Sequence, residues 1–331
     1  MSGPQIDRRT FAAAAGAALM SNIEVGSTAP ADDKALVTIT LDLEMSRNFP
    51  TWETTHWDYE KGNLNAETKA YAIEAARRVK ERGGRIHFFM LGRTLEQENI
   101  DWLRKLADDG HPIGNHTYDH VNIRATRPED IQFRFQRSPW LIAGRDPADV
   151  IRENIRLTTE AMKSRLGIAT AGFRTPGGFP NGLSDRDDLQ KMLLDLGFTW
   201  VSSKYPGYKT GTAAQEPTYA VTESIAAATD EAQPFKYSTG LVEIPMSPIS
   251  DIGAFRTGRW KLEWFLRAIR AGVEHVIARR SVFDFLGHPS CMYVTDPEFK
   301  AIDLICDLVE RAGPHARLSD LETAGRRAVF G

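Results

Sequence analysis

From residue 35 onward the chain alternates short β-rich apolar runs with longer stretches of helical period. Residues 35–41 (ALVTITL) read as a buried strand. Asn65 is placed to cap a helix over AETKAYAIEAARRVKER, which Gly83-Gly84 would end. Residues 85–91 (RIHFFML) form the next strand, 100–108 a helix stopped at Gly110, and 111–114 a short strand. A long helix is predicted over 147–166, with Val150, Ile155, Leu157, Met162 and Leu166 as its apolar face. The alternation continues with strands at 171–174, 198–202, 241–245 and 282–286. Helices are predicted at 185–196, 260–279 and 297–311. Residues 205–238, rich in Ala, Thr, Gly and Pro, show no clear period and read as a long insertion, a candidate lid.

Regular alternation of this kind implies parallel strands joined by right-handed crossovers. About seven such units favour a (β/α) barrel, closed or partly closed, over an open sheet. No Gly-x-Gly-x-x-Gly follows the first strand, which disfavours a dinucleotide fold. The length, 331 residues, is compatible with one large domain.

The N-terminus departs from this pattern. Residues 7–20 read DRRTFAAAAGAALM, with Arg8 and Arg9 before a weakly apolar, alanine-rich stretch. Ala29-Pro30-Ala31 then offers the small residues a signal peptidase reads. The competing reading is an ordinary amphipathic helix. A twin-arginine export signal over 1–31 is expected, with the catalytic domain at 32–331 and an exported location. No apolar run is long enough for stable membrane insertion. The net charge of -3 and the lack of a basic stripe argue against nucleic acid as partner. Cys291 and Cys306 lack a CxxC spacing, so buried free thiols are expected rather than a zinc-thiolate site. Oligomeric state is not legible.

The unusual polar residues gather at strand ends. Asp42 and Glu44 end the first strand, His116 and His120 follow the third, Arg174 ends AGFR, and His288 ends VFDFL. In a parallel α/β barrel the C-terminal strand ends form the face where active sites are built. At i and i+2, Asp42 and Glu44 point to one side of a strand and can divide metal binding from proton transfer. His116 and His120 share a face if their segment turns helically. Two histidines, a carboxylate and an open position form a catalytic metal set. Thr117 stands where a metalloprotease helix needs Glu. Arg174, near Asp42, would orient that acid. His288, between Leu286 and Pro289, is a candidate general acid or a satisfied core histidine.

GHPIGNHTYDH, FRTPGG and LGHPS, in that order, resemble three motifs of the polysaccharide deacetylases (NodB-type, carbohydrate esterase family 4), over about residues 35–312. Thr40-Leu41-Asp42-Leu43-Glu44 matches the family's Thr-Phe-Asp-Asp-Gly only loosely and looks like its Asp-x-Glu subgroup. The resemblance implies a deformed (β/α) barrel and a divalent metal ion, usually zinc. It implies Asp42 as catalytic base, Arg174 as its holder, His288 as proton donor to the leaving amine, and Glu44, His116 and His120 as metal ligands. The family's acid that tunes the catalytic histidine has no counterpart in TWVSSKYP, which leaves Asp251 and Asp284 as candidates. The expected reaction is N-deacetylation of an amino-sugar polymer. Trp52, Trp57 and Pro176 are expected at the substrate, with His56 and Tyr59 beside the tryptophans as further stacking candidates. The alternatives are an amidohydrolase of a small cyclic ureide or imide, and a non-catalytic carbohydrate-binding protein.

Overall fold

The computed structural model describes residues 33–53 and 61–330. The expected export segment and Trp57, His56 and Tyr59 lie outside the described residues. Strand β1 (Ala35–Leu43) is buried along its whole length and organises the sheet. Its alternation sorts two environments, because successive side chains of a strand point to opposite faces. Val37, Ile39, Leu41 and Leu43 join the main apolar core with the Ala66–Glu81 and Leu262–Arg279 helices. Thr38, Thr40 and Asp42 point the other way, into a polar interior.

One edge of β1 is shared by β2 (Ile86–Met90) and, nearer its start, β9 (Ala316–Ser319), while the other edge pairs with β8 (Val282–Gly287). Beyond β2 follow β3 (Ile113–Asn115), β4 (Phe173–Phe179), β5 (Trp200–Lys204), β7 (Val242–Glu243) and β6 (Phe235–Lys236). Every pairing is parallel except that of β6 with β7. Among the described residues no pairing joins β6 to β8, so the sheet is a curled barrel left open on one side. The expected deformed (β/α) barrel is therefore the fold, with nine strands among the described residues where about seven were predicted. The two additional strands are the short edge β6 and the terminal β9, neither of which has a long apolar run to announce it.

Most element boundaries fall where local chemistry put them. The Asn65 side chain accepts from Thr68 N at 2.9 Å and caps the Ala66–Glu81 helix, and Gly83 follows with φ of +75°. The long helix runs only over Pro147–Ala161 before widening into a π-helical turn, Met162–Leu166. Leu157 is exposed, and its expected place on the buried face is taken by Ile151, Asn154 and Thr158. Residues 205–238 are not an unstructured insertion. They contain a Thr218-capped helix, Tyr219–Ala228, whose buried Val221, Ile225 and Ala228 form a narrow apolar stripe. Both cysteines are free and buried, as expected. No described helix is long and apolar enough to cross a membrane.

Gly172 sets the approach of β4 to β5. Its φ is +82°, and a Cβ there would lie 2.0 Å from the Trp200 ring. Its carbonyl also accepts from Asn115 N at 3.0 Å, leaving the backbone little room to yield. Gly172→Ala is expected to cost roughly 2–4 kcal/mol of stability. Urea titration should show a lower midpoint at unchanged slope. A loss below about 0.5 kcal/mol would show that Trp200 moves aside without cost.

Candidate active site at the strand ends

The site is built on a buried guanidinium. Arg174, on β4, is fully buried in the sheet interior. Its Nη1 donates to Thr40 Oγ1 at 2.7 Å and Asp42 Oδ1 at 3.1 Å on β1. Its Nη2 donates to Asp284 Oδ2 at 2.6 Å on β8, and Nε and Nη2 both reach Ser202 Oγ at 3.2 Å on β5. The Phe89 ring of β2 covers it, 4.3 Å from the ring centroid. Asp284 in turn accepts from Thr38 Oγ1 at 2.9 Å. Burial pushes the Asp284 carboxyl up to about 6, against the opposing pull of Arg174. These bonds satisfy a charge that would otherwise be expensive to bury.

Above this layer Asp42, Glu44, Lys61, His116, His120 and His288 line one cavity of about 260 Å³. Asp42 and Glu44 both face it, although β1 ends between them and Glu44 N turns back to Asp42 O at 3.0 Å. Ser290 Oγ fixes that turn by donating to Glu44 O at 2.7 Å. The histidine loop is not helical, contrary to the condition set by spacing alone. Thr117 and His120 have φ of +64° and +59°. The loop is pinned by Asn115 Oδ1, which accepts from Thr117 N at 2.8 Å, and by Asn154 Oδ1, which accepts from Tyr118 N and Asp119 N, each at 2.8 Å. The two imidazoles still meet, with centroids 5.2 Å apart.

Glu44, His116 and His120 each offer a ligand atom, all within 4.8 Å of one another. His116 Nδ1 lies 2.9 Å from the Arg174 carbonyl, an acceptor only, so Nδ1 carries the proton and Nε2 presents a lone pair. Glu44 Oε2 is buried with no aligned hydrogen-bond donor, although His120 Nε2 stands 2.8 Å away. Burial holds His120 down at about 4 against the field of Glu44, and Lys61 adds to the lowering. Burial also opposes the charge on Glu44, but His120, Lys61 and His116 outweigh it and hold the carboxyl well below its usual range. Two imidazole lone pairs around an orphaned carboxylate oxygen fit a divalent cation.

Lys61, which spacing and motif did not single out, enters this set. Its Nζ lies 2.6 Å from Glu44 Oε1 and 3.2 Å from His120 Nε2. It is buried, and Met45 N donates to its carbonyl at 2.9 Å, which ties Lys61 to the backbone just after Glu44. A single lysine in a polar loop carries no sequence signal of such a place.

His288, at the end of β8, faces the cavity with Nε2 3.9 Å from Asp42 Oδ2 and 3.7 Å from Glu44 Oε1. Asp251 accepts hydrogen bonds from His288 Nδ1–H at 2.9 Å and from the His288 backbone N–H at 2.7 Å. The two acids that sequence left open as partners of the histidine are thus separated. Asp251 holds His288, and Asp284 holds Arg174. Burial disfavours the His288 imidazolium, but Asp251 outweighs it and the pKa lies above the ordinary value.

The expected substrate residues are placed differently. Asn48 Nδ2 donates to the Trp52 carbonyl at 2.6 Å and folds that loop back, so the indole lies against Phe49 and Arg259. Trp52 therefore lines a separate open hollow with Trp260 and Phe255, outside the histidine cavity. Pro176 is buried in β4, and it is its neighbours Thr175, Gly177 and Gly178 that reach the cavity. Tyr205 and Arg256, unremarked in the sequence, line the same cavity.

Residues 59–200 match the family model described as polysaccharide deacetylase. That stretch includes His116, His120 and Arg174, whereas Asp42, Glu44 and His288 reach the site through the fold. An uncharacterized protein, YlxY of Bacillus subtilis (strain 168), is 26% identical over 109 residues, which are 33% of this chain. The match spans 25% of the length of that relative. In fold the chain is similar to a protein of Mycobacterium smegmatis assigned as a polysaccharide deacetylase, with TM-score 0.59, 15% identity and 92% and 93% of the two chains covered. It is also similar to one of Pseudomonas aeruginosa PAO1 with the same assignment, at TM-score 0.60, 12% identity and 89% and 91% coverage. An allantoinase, Puue, aligns with TM-score 0.58, 12% identity and 90% and 91% coverage. Over residues 59–200 the chain is thus similar to the polysaccharide deacetylases, and its barrel is of the kind those solved structures share.

Proposed function

We propose that this protein is a metal-dependent hydrolase of an amide C–N bond that removes N-acetyl groups from an amino-sugar oligomer or polymer. The observation that carries the reading is the meeting of Asp42, Glu44, His116, His120 and His288 in one cavity from three separate strand ends. A dead, binding-only barrel would have no need to keep base, ligands and acid together. Glu44, His116 and His120 are the residues that would hold the ion, with zinc the expected metal. A divalent ion there would polarise the acyl oxygen and make a water acidic enough to attack near neutral pH.

The chain's own groups supply the rest. Arg174 fixes Asp42 through Oδ1, leaving Oδ2 turned toward His116 and His288 in the cavity. Asp42 takes the proton of the attacking water as the carbonyl carbon becomes tetrahedral. His288, held by Asp251, gives a proton to the nitrogen as the C–N bond breaks, so acetate and a free amine leave. Arg8-Arg9 and the apolar stretch after them support an exported enzyme, the location in which a cell-wall type polymer would be met.

One observation favours a second reading, hydrolysis of a small cyclic ureide or imide. The Lys61 ammonium already provides a cation between Glu44 and His120, and the cavity of about 260 Å³ suits a small ring. The two readings separate on metal. Wild-type protein is expected to hold one metal ion per chain and to release acetate from N-acetylglucosamine oligomers. His116→Ala/His120→Ala should lose both, with activity down by at least about a thousandfold, as expected when the group that generates the nucleophile is removed. Elemental analysis together with an acetate assay reads both quantities. Turnover of a cyclic ureide that persists in the metal-stripped protein would reject the metal-dependent reading.

The Asp251–His288 pair also fixes a pH dependence. His288 must be protonated to act as an acid, and Asp251 keeps it protonated to higher pH than burial alone would allow. Asp251→Asn removes that support, so burial dominates and the imidazole pKa falls. The alkaline limb of kcat should move to lower pH, and NMR titration of the His288 ring should move with it. An unchanged alkaline limb would show that another group donates the proton.

A further inference from the structure

Arg256 lines the cavity from the π-helical turn Ile252–Thr257, the segment that begins beside Asp251. Among the described residues its half-buried guanidinium has no hydrogen-bond or ion-pair partner. The carboxylates whose fields reach it are Glu44 and Asp251. Both are engaged elsewhere, Glu44 with Lys61 and the histidines, Asp251 with His288 and with Ile252 N at 2.8 Å. The other cation whose field reaches it is Arg47, exposed on the loop after Glu44 and likewise without a described partner. Its field opposes the charge on Arg256. A half-buried guanidinium lacking acceptors also forfeits its hydration. Burial and Arg47 both lower the Arg256 pKa, the direction expected of a cation lacking an acceptor. The arrangement is complete only when an oxyanion enters, and the planar fork of an arginine matches a carboxylate with two parallel hydrogen bonds.

We propose that Arg256 is a specificity residue that selects substrates bearing a carboxylate near the scissile N-acyl group. The proposal deepens the amide-hydrolase reading of the same cavity and rests on it for the reaction. It distinguishes this cavity from one made for a neutral sugar, whose hydroxyls would not balance the charge of Arg256.

The test compares acids with neutral partners of nearly the same shape. N-acetylmuramic acid is set against its methyl ester, and N-carbamoylglycine against its amide. Binding is measured by calorimetry, and acetate or ammonia release by kcat/KM, for wild type, Arg256→Gln and Arg256→Lys. Wild type should prefer at least one acid by about tenfold or more. Arg256→Gln should bring that ratio close to one. Arg256→Lys, which keeps the charge but loses the fork, should fall between. Equal treatment of acid and neutral partner by wild type, or a preference that survives Arg256→Gln, would overturn the proposal. If the binding preference appears and disappears as expected while neither acetate nor ammonia is released, the carboxylate site stands and the hydrolase reading falls. If both members of a pair are hydrolysed equally well, the hydrolase reading stands and Arg256 has no part in selection.

Discussion

The guanidinium of Arg174 is the constraint on which the rest of the structure depends. A fully buried cation is tolerated only if its donors are met and its charge is balanced. Thr40, Asp42, Ser202 and Asp284 do this from three strands, and Phe89 closes a fourth side. The same bonds fix how β1, β4, β5 and β8 sit around the interior. Removing one partner of such a buried pair typically costs about 3–5 kcal/mol, because the other charge is then stranded. The carboxylate of Asp42 is thereby aimed into the cavity by the interaction that holds the barrel together. Stability and site geometry are not separable here.

The next layer up is organised by cations as well. Glu44 is a buried acid drawn toward Lys61 and two imidazoles, and its Oε2 remains without an aligned donor. His288 is a buried base whose charge is favoured by Asp251. Neighbours thus hold Glu44 down and His288 up, the condition under which acid and base roles become distinct. Arg256 is the member of this set whose counter-charge is not supplied by the described chain.

The fold was largely legible because its periods are local. β1 alternates apolar and polar positions, and its apolar half can only face the helices. Caps such as Asn65 and stops such as Gly83 and Gly110 act within a few residues, so boundaries followed from sequence. The Tyr219–Ala228 helix escaped because its apolar stripe is three residues wide and diluted by alanine and threonine. Its stability comes from packing on the Leu262–Arg279 helix, a contact between segments far apart in the chain. The π-helical turn after Ala161 likewise broke a pattern that reads as one continuous helix.

For the site, sequence alone determined which strand ends carry unusual chemistry. A carboxylate pair, a histidine pair, an arginine and a further histidine at the C-terminal ends of parallel strands converge in any barrel of this type. The family resemblance left Asp251 and Asp284 as candidates for the acid that tunes His288. Only the tertiary structure decided between them, by placing Asp284 under Arg174 and Asp251 beside His288. It likewise brought Lys61 to Glu44, left Arg256 facing the cavity without an acceptor, and turned Trp52 away. The physical reason is the same in each case. Periodicity and capping are settled by neighbours along the chain, whereas the pairing of one charge with another depends on distances of 2.6 to 3.9 Å between segments that sequence does not relate.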